Sequence, residues 1–187
     1  MSDTPFLVSH VSVIADQLFE RVAQALAQQR GRLDPAVDNS RAGNTDPEGA
    51  RATIQAMTGP SGFMLCNTFN HGWLPWHILG QGQKVMVYVI GDPWLALELK
   101  QGDIRAALYA PLRLLHYENA EGKTGLEDDR PSSIFGQFGN ARINAFAAEL
   151  DRKLEALLAT VTKSLRRKAS MLGTSMANRL DRQRRFT

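Results

Sequence analysis

The chain predicts an α+β fold, with the element order β-α-β-β-α-β-β-α and a long final helix. Three observations carry that prediction. The run Lys84-Val-Met-Val-Tyr-Val-Ile90 puts Val85, Val87 and Val89 on one face and Met86, Tyr88 and Ile90 on the other. A strand with no polar side is covered twice. Gly91-Asp92-Pro93 then ends the strand and opens a helix, with Asp92 as N-cap and Pro93 at the first helical position. From about Asn140, apolar residues recur at Ile143, Phe146, Leu150, Leu154, Leu157, Val161 and Leu165. That eleven-residue rhythm stays close to the helical period, so the stripe remains straight.

A chain of 187 residues fits one domain. The expected division is a single α+β domain over residues 1–160, with a long loop at 32–62, and a basic helical extension or tail over 161–187. Eight of the 22 basic residues follow Thr160, against one of the 19 acids, so the body is mildly acidic while the tail holds the positive excess. Cys66 is the only cysteine, which rules out an intrachain disulfide and points to a reducing compartment. Met-Ser-Asp-Thr-Pro5 has no basic n-region or apolar h-region, and no apolar run reaches the ~18 residues of a membrane span. The expectation is a soluble, cytoplasmic protein.

Phe6 to Val13 forms the first predicted strand, with Leu7, Val11 and Val13 on one face and Phe6, Val8 and His10 on the other. Leu18, Val22, Ala25 and Leu26 mark a helix that stops at Gly31. Arg32 to Gly62 is a loop holding one short helix, capped by Asp46, started by Pro47 and ended by Gly59-Pro60. It serves either as a lid or as a plain surface excursion. Phe63 to Phe69 is the second strand, followed by Asn70-His-Gly-Trp-Leu-Pro-Trp-His77, a segment broken by Gly and Pro. The helix after Pro93 runs to Tyr109, interrupted near Gly102-Asp103. Pro111 returns the chain to strand through Tyr117, and Asn119-Ala-Glu-Gly122 turns it into a last strand at Lys123 to Glu127. Beyond Gly173 the expectation is fraying to Thr187.

His71, Trp73, Trp76, His77, His10, His116 and Tyr88 are the candidate ligand-binding residues; no catalytic set is assigned. Imidazole titrates near neutral pH and ligates metals or haem iron. The separation of His71 from His77 fits no standard helical metal motif, and the alternative use of such a ring is a hydrogen bond that holds a loop. His10 and His116 fall on strands and read first as structural. If they shared the helix-free face with His71, a haem or acid–base pocket would follow. The tryptophans supply apolar surface with one polar handle each, for packing, an interface or ligand stacking. The acids Glu127, Asp128 and Asp129 suit a cation or acid–base work, with Arg130 beside them as charge balance. The basic tail suits either an anionic partner or plain solvation.

Asn70-His71, Val89-Ile-Gly-Asp-Pro93, Asp103, Ala110-Pro111 and Arg130-Pro-Ser132, in this order and spacing, resemble a bacterial family of unknown activity, the domain of unknown function 302 family. The resemblance spans about Leu7 to Leu157 and is most specific from Lys84 to Ser132. It implies a curved antiparallel sheet with helices on one face, of the TATA-box-binding-protein-like kind, and a homodimer. Asp128 departs from it, standing where it implies an aromatic. The preferred functional reading is a non-enzymatic domain binding a small apolar ligand or a partner on the helix-free face. The alternative is a haem- or metal-binding protein, or a small-molecule enzyme, using His71.

Overall fold

The computed structural model describes residues 4–38, 46–80 and 82–183, with side-chain surroundings as far as Thr162. β1 (His10–Ala15) leads to α1 (Phe19–Gln29), and a two-residue β2 (Gly31–Arg32) follows at once. The stretch read as a loop holds two helices, α2 (Pro35–Asp38) and α3 (Pro47–Ala56). Next come β3 (Met64–Asn70), α4 (Trp73–Leu79), β4 (Val85–Gly91) and α5 (Pro93–Gly102). A 3-10 turn at Ile104–Leu108 precedes the hairpin of β5 (Leu112–Glu118) and β6 (Thr124–Asp129). α6 (Pro131–Phe135), a second 3-10 turn at Gly136–Phe138, and α7 (Ala141–Gln183) complete the order.

The strands form one open sheet in the order β1-β6-β5-β4-β3-β2, antiparallel throughout except for the short β2–β3 pair. β1 and β2 lie at opposite edges, so α1 must carry the chain across the whole sheet. Five strand spacings of ~4.8 Å make about 24 Å, which an eleven-residue helix of about 16 Å and its flanks can bridge. Val22 and Leu26 of α1 are buried on the way. The crossing ends where Gly31 meets Gly59. A Cβ on Gly31 would sit 1.8 Å from the Met57 carbonyl oxygen, and one on Gly59 would sit 2.2 Å from the Gly31 nitrogen. Only glycine permits that approach, through which both amides donate to the Phe63 carbonyl.

One face of the sheet is covered. Tyr88, Ile90, Leu112, Leu114 and Leu126 meet Val22 and Leu26 of α1, Leu95 and Leu99 of α5, and the predicted stripe of α7. Ile143, Leu150, Leu154, Leu157 and Val161 of that stripe are all buried, joined by Ala147 and Leu158. At about 1.5–3 kcal/mol for each large apolar side chain removed from water, this stripe is the largest single source of core stabilisation.

The predicted caps form. The Asp46 side chain accepts from Gly49 N–H, and Asp92 accepts from Trp94 N–H at 2.9 Å and Leu95 N–H at 3.1 Å. Asp103 ends α5 and caps the 3-10 turn through Arg105 N–H, which explains the interruption read at Gly102-Asp103.

Four further differences from the sequence reading appear, and the first two have local causes. β1 begins at His10 rather than Phe6, because its partner β6 ends at Asp129. Phe6 instead packs edge-on against Tyr109. The segment after Asn70 is a helix, since Pro75 sits in its first turn, where no amide is needed, and Gly80 closes it at φ 64°. α6 starts at Pro131 in the Arg-Pro-Ser segment. α7 continues to Gln183, past the expected fraying point at Gly173.

Asp92 has a second bond. Its other carboxylate oxygen pairs with Lys153 of α7, whose ammonium also donates to the Gly62 carbonyl and sits over the Phe63 ring. Asp92→Ala removes the cap and strands Lys153, with an expected loss of about 2–4 kcal/mol in urea unfolding. Asp92→Asn, which keeps an acceptor for the amides, should lose less.

Candidate functional site

The sheet has a second face that no helix among the described residues fills. Register places Val85, Val87 and Val89 of β4 there, beside Phe69 of β3 and Leu115 of β5. The three valines are half-buried by their neighbours, and Phe69 is exposed. Toward the β1 edge the same face turns polar. His10 pairs with Asp129 at 2.9 Å and Glu127 at 3.3 Å, while Tyr117 donates its hydroxyl to Glu127 at 2.6 Å. Ser12 Oγ donates to Glu127 as well. Gly125 makes this geometry available, because a Cβ there would lie 2.3 Å from the Tyr117 ring. The ring lies across the glycine and so reaches the carboxylate two residues on.

Pairing sets the charges here. Hydrogen bonds donated to Asp129 first, and then to Glu127, raise the His10 imidazole above its ordinary value. The Tyr117 hydroxyl, with His10 and Ser12, lowers Glu127, and Glu127 in turn raises Tyr117.

α4 lies in the connection between β3 and β4 and buries none of its residues. Trp73 is 54% exposed, Trp76 60% and Ile78 69%, with Leu74 and Leu79 comparably open. His77 Nδ1 lies 2.7 Å from the Trp73 carbonyl oxygen, and its ring meets Trp73 edge-on. His71, at the start of the connection, lies beside Phe69 with ring centroids 6.5 Å apart. The arm therefore joins the apolar part of the open face through Phe69 and His71.

The seven candidate residues do not converge on one pocket. Trp73, Trp76, His77 and His71 share the β3–β4 connection, and His10 lies on the open face of the edge strand. His116 and Tyr88 lie together on the covered face, with ring centroids 6.0 Å apart. His116 is stacked on Phe19 of α1 at 3.9 Å. It cannot join His10 and His71, because its position on β5 turns it toward the helices. Among the described residues, no group of three or more His, Cys, Asp or Glu side chains is placed to hold a metal ion. The signal that sequence reasoning lacked for α4 was the combined exposure of Leu74, Ile78 and Leu79 with the tryptophans, which depends on the segment being helical. The side chains of the basic tail, and residues 39–45 of the predicted loop, lie outside the described residues.

The acidic cluster at the end of β6 is split between faces. Glu127 and Asp129 take part in the open-face network, whereas Asp128 points to the covered face and its Oδ2 has no hydrogen-bond partner. Arg130, expected to balance this cluster, instead pairs with Glu155 at 2.8 Å and Asp151 at 3.7 Å on α7.

Two buried groups therefore titrate abnormally and in opposite senses. Burial lowers His116 to about 4, only weakly opposed by Glu20. Burial raises Asp128 to about 6, opposed by Arg130. For His116 the unfolded chain binds the extra proton, so stability falls as pH drops from 6.5 toward about 4. For Asp128 the folded chain binds it, so stability falls as pH rises from 3.8 toward about 6. The two slopes oppose each other in the native protein. Measured against wild type across this window, His116→Phe should grow less stable with rising pH and Asp128→Asn more stable, each by up to about 3 kcal/mol. Urea midpoints at several pH values check both slopes.

Among the described residues, no helix is long and apolar enough to cross a membrane. The fold is similar to the crystal structure of an uncharacterized conserved protein DUF302 from Bacillus stearothermophilus. The TM-score is 0.56 at 14% identity, covering 80% of this chain and 95% of that one. No curated protein matches the chain. A family model described as Domain of unknown function DUF302 matches residues 40–161, more than half of the sequence and inclusive of the β3–β6 sheet, the α4 arm and the covering part of α7, and the chain belongs to that family.

Proposed function

We propose that this chain is a non-enzymatic binding domain that pairs with a second copy of itself through α4 and the adjoining open sheet face. The observation that carries the reading is α4, where five large apolar side chains stand between 47% and 69% exposed on one seven-residue helix. Scattered apolar residues on a surface need no explanation, but a contiguous cluster rich in tryptophan has the composition of an interface core. Trp73 and Trp76 suit the anchor role, since each brings a large rigid surface and one N–H.

Two further features favour a copy of the same chain over an unrelated partner. The apolar patch grades into a rim with both signs of charge close together, protonated His10 beside Asp129 and Glu127. A two-fold axis brings a surface onto itself, and a mixed rim meets its own image without a net clash of charge. The half-buried valines of β4 would lose their remaining exposure on the same side, giving the doubly apolar strand its second cover.

Light scattering on the full chain should return the mass of a dimer, with Trp76→Glu plus Ile78→Glu shifting it to a monomer and leaving the far-ultraviolet circular dichroism unchanged. A wild-type chain that stays monomeric at its highest soluble concentration overturns the reading. A dimer that survives both glutamates overturns the assignment of the surface.

A further inference from the structure

β5 and β6 are neighbours in the middle of the sheet, yet their cross-strand pairs stop at Leu115↔Glu127. β5 continues to pair with β4 as far as Leu112↔Ile90, and β6 with β1 as far as Asp129↔His10. The two strands thus part over their last residues while each stays in the sheet through its other neighbour. Had the ladder continued, Leu114 would stand opposite Asp128. At the parting lies a cleft of about 490 Å³, with Val89, Leu112, Ile134 and Leu154 among its apolar walls. That volume is within the range of small-molecule sites.

The polar groups of the cleft are few. Asp128 lines it, is only 6% exposed, and leaves Oδ2 without a partner. The surrounding carboxylates are all engaged: Asp129 and Glu127 with His10, Asp151 with Ser132 N–H and Arg130, Glu155 with Arg130. Arg113 also lines the cleft, from its exposed rim, and its side chain makes no ion pair or hydrogen bond among the described residues. A buried carboxylate oxygen without a donor costs free energy, which Arg130 and His10 offset only through space. The missing donor suits an incoming ligand.

We propose that the cleft between β5 and β6 binds a small ammonium-bearing molecule with an apolar body, and that Arg113 at the rim selects those that also carry a carboxylate. An apolar amino acid has this chemistry. Its ammonium meets Asp128, its side chain meets Leu112, Ile134 and Leu154, and its carboxylate meets Arg113. The site lies apart from α4 but shares Val89 and Asp129 with the open sheet face.

Binding of this kind depends on pH through Asp128. The charged groups facing it are Arg130 from the start of α6, Asp129 beside it, His10 of β1 and Asp151 of α7. Arg113 adds a charge at the rim. Arg130 and His10 favour the carboxylate, while burial and the two acids favour its neutral form, which leaves Asp128 titrating at about 6.

The test is a titration of isotope-labelled full-length protein with leucine, isoamylamine and isovalerate, followed by amide chemical shifts. Leucine should give saturable shifts at Leu112, Asp128, Ile134 and Leu154, isoamylamine weaker binding at the same amides, and isovalerate none. Asp128→Asn should weaken leucine by about tenfold or more. Arg113→Gln should bring leucine down to the affinity of isoamylamine. In the wild type, affinity for leucine should drop about tenfold between about pH 7.5 and about pH 5. The pH titration stands on its own should Asp128→Asn fold poorly. Absence of leucine shifts at these amides, equal binding of isovalerate, or pH-independent affinity overturns the proposal.

Discussion

The apolar stripe on α7 is the surface against which the other elements close. α1, α5 and α6 are each eleven residues or fewer, too short to be stable helices alone in water. Each owes its persistence to packing, and each packs on α7. The stripe's flanks carry polar ties to the same elements. Lys153 reaches the Asp92 cap of α5, Asp151 accepts from Ser132 N–H in α6, and Arg142 pairs with Glu98. Thr162, at the far end, offers its carbonyl to Gln17 just before α1. Apolar burial supplies most of the energy, and the ties fix the position along the helix at which each partner docks.

A sheet covered by one layer gives its ionisable residues two different solvents. On the covered side desolvation dominates, and His116 and Asp128 both move toward their neutral forms. On the open side, pairing dominates, and His10 and Glu127 both move toward their charged forms. Neighbouring residues on one strand, Glu127, Asp128 and Asp129, therefore behave differently although their chemistry is nearly the same. The alternation of strand side chains assigns them to different sides. A run of three acids in sequence thus does not amount to an acidic cluster in space.

Features fixed by adjacent residues were legible in the sequence. The caps at Asp46 and Asp92 need only an acceptor a few residues from a free amide, and both form. The stripe from Ile143 to Val161 is visible because helical spacing is local. α4 was obscured by Pro75, a residue that reads as a breaker until its place in the first turn is known. The side to which His10 and His116 point was not legible, because it follows from which strands pair and in what register. Arg130 illustrates the limit from the other side: its sequence neighbours are acids, yet its partners, Asp151 and Glu155, lie on α7.

The parting of β5 and β6 belongs to the same class of long-range facts, and it breaks two local rules together. Central strands ordinarily stay paired along their shared length, and buried carboxyls ordinarily have a donor. A large apolar side chain in place of Asp128 would satisfy both, since it would fill the space near Leu154 and Ile134 and remove the unpaired oxygen. Asp128 is small enough to leave the cleft open and polar enough to make closing it dry unfavourable. Where the rest of a core is consistent, as the caps, stripe and helix ties are here, departures of this kind concentrate at sites kept for something other than stability. Two departures that share one residue and one cleft are harder to attribute to loose packing than either would be alone.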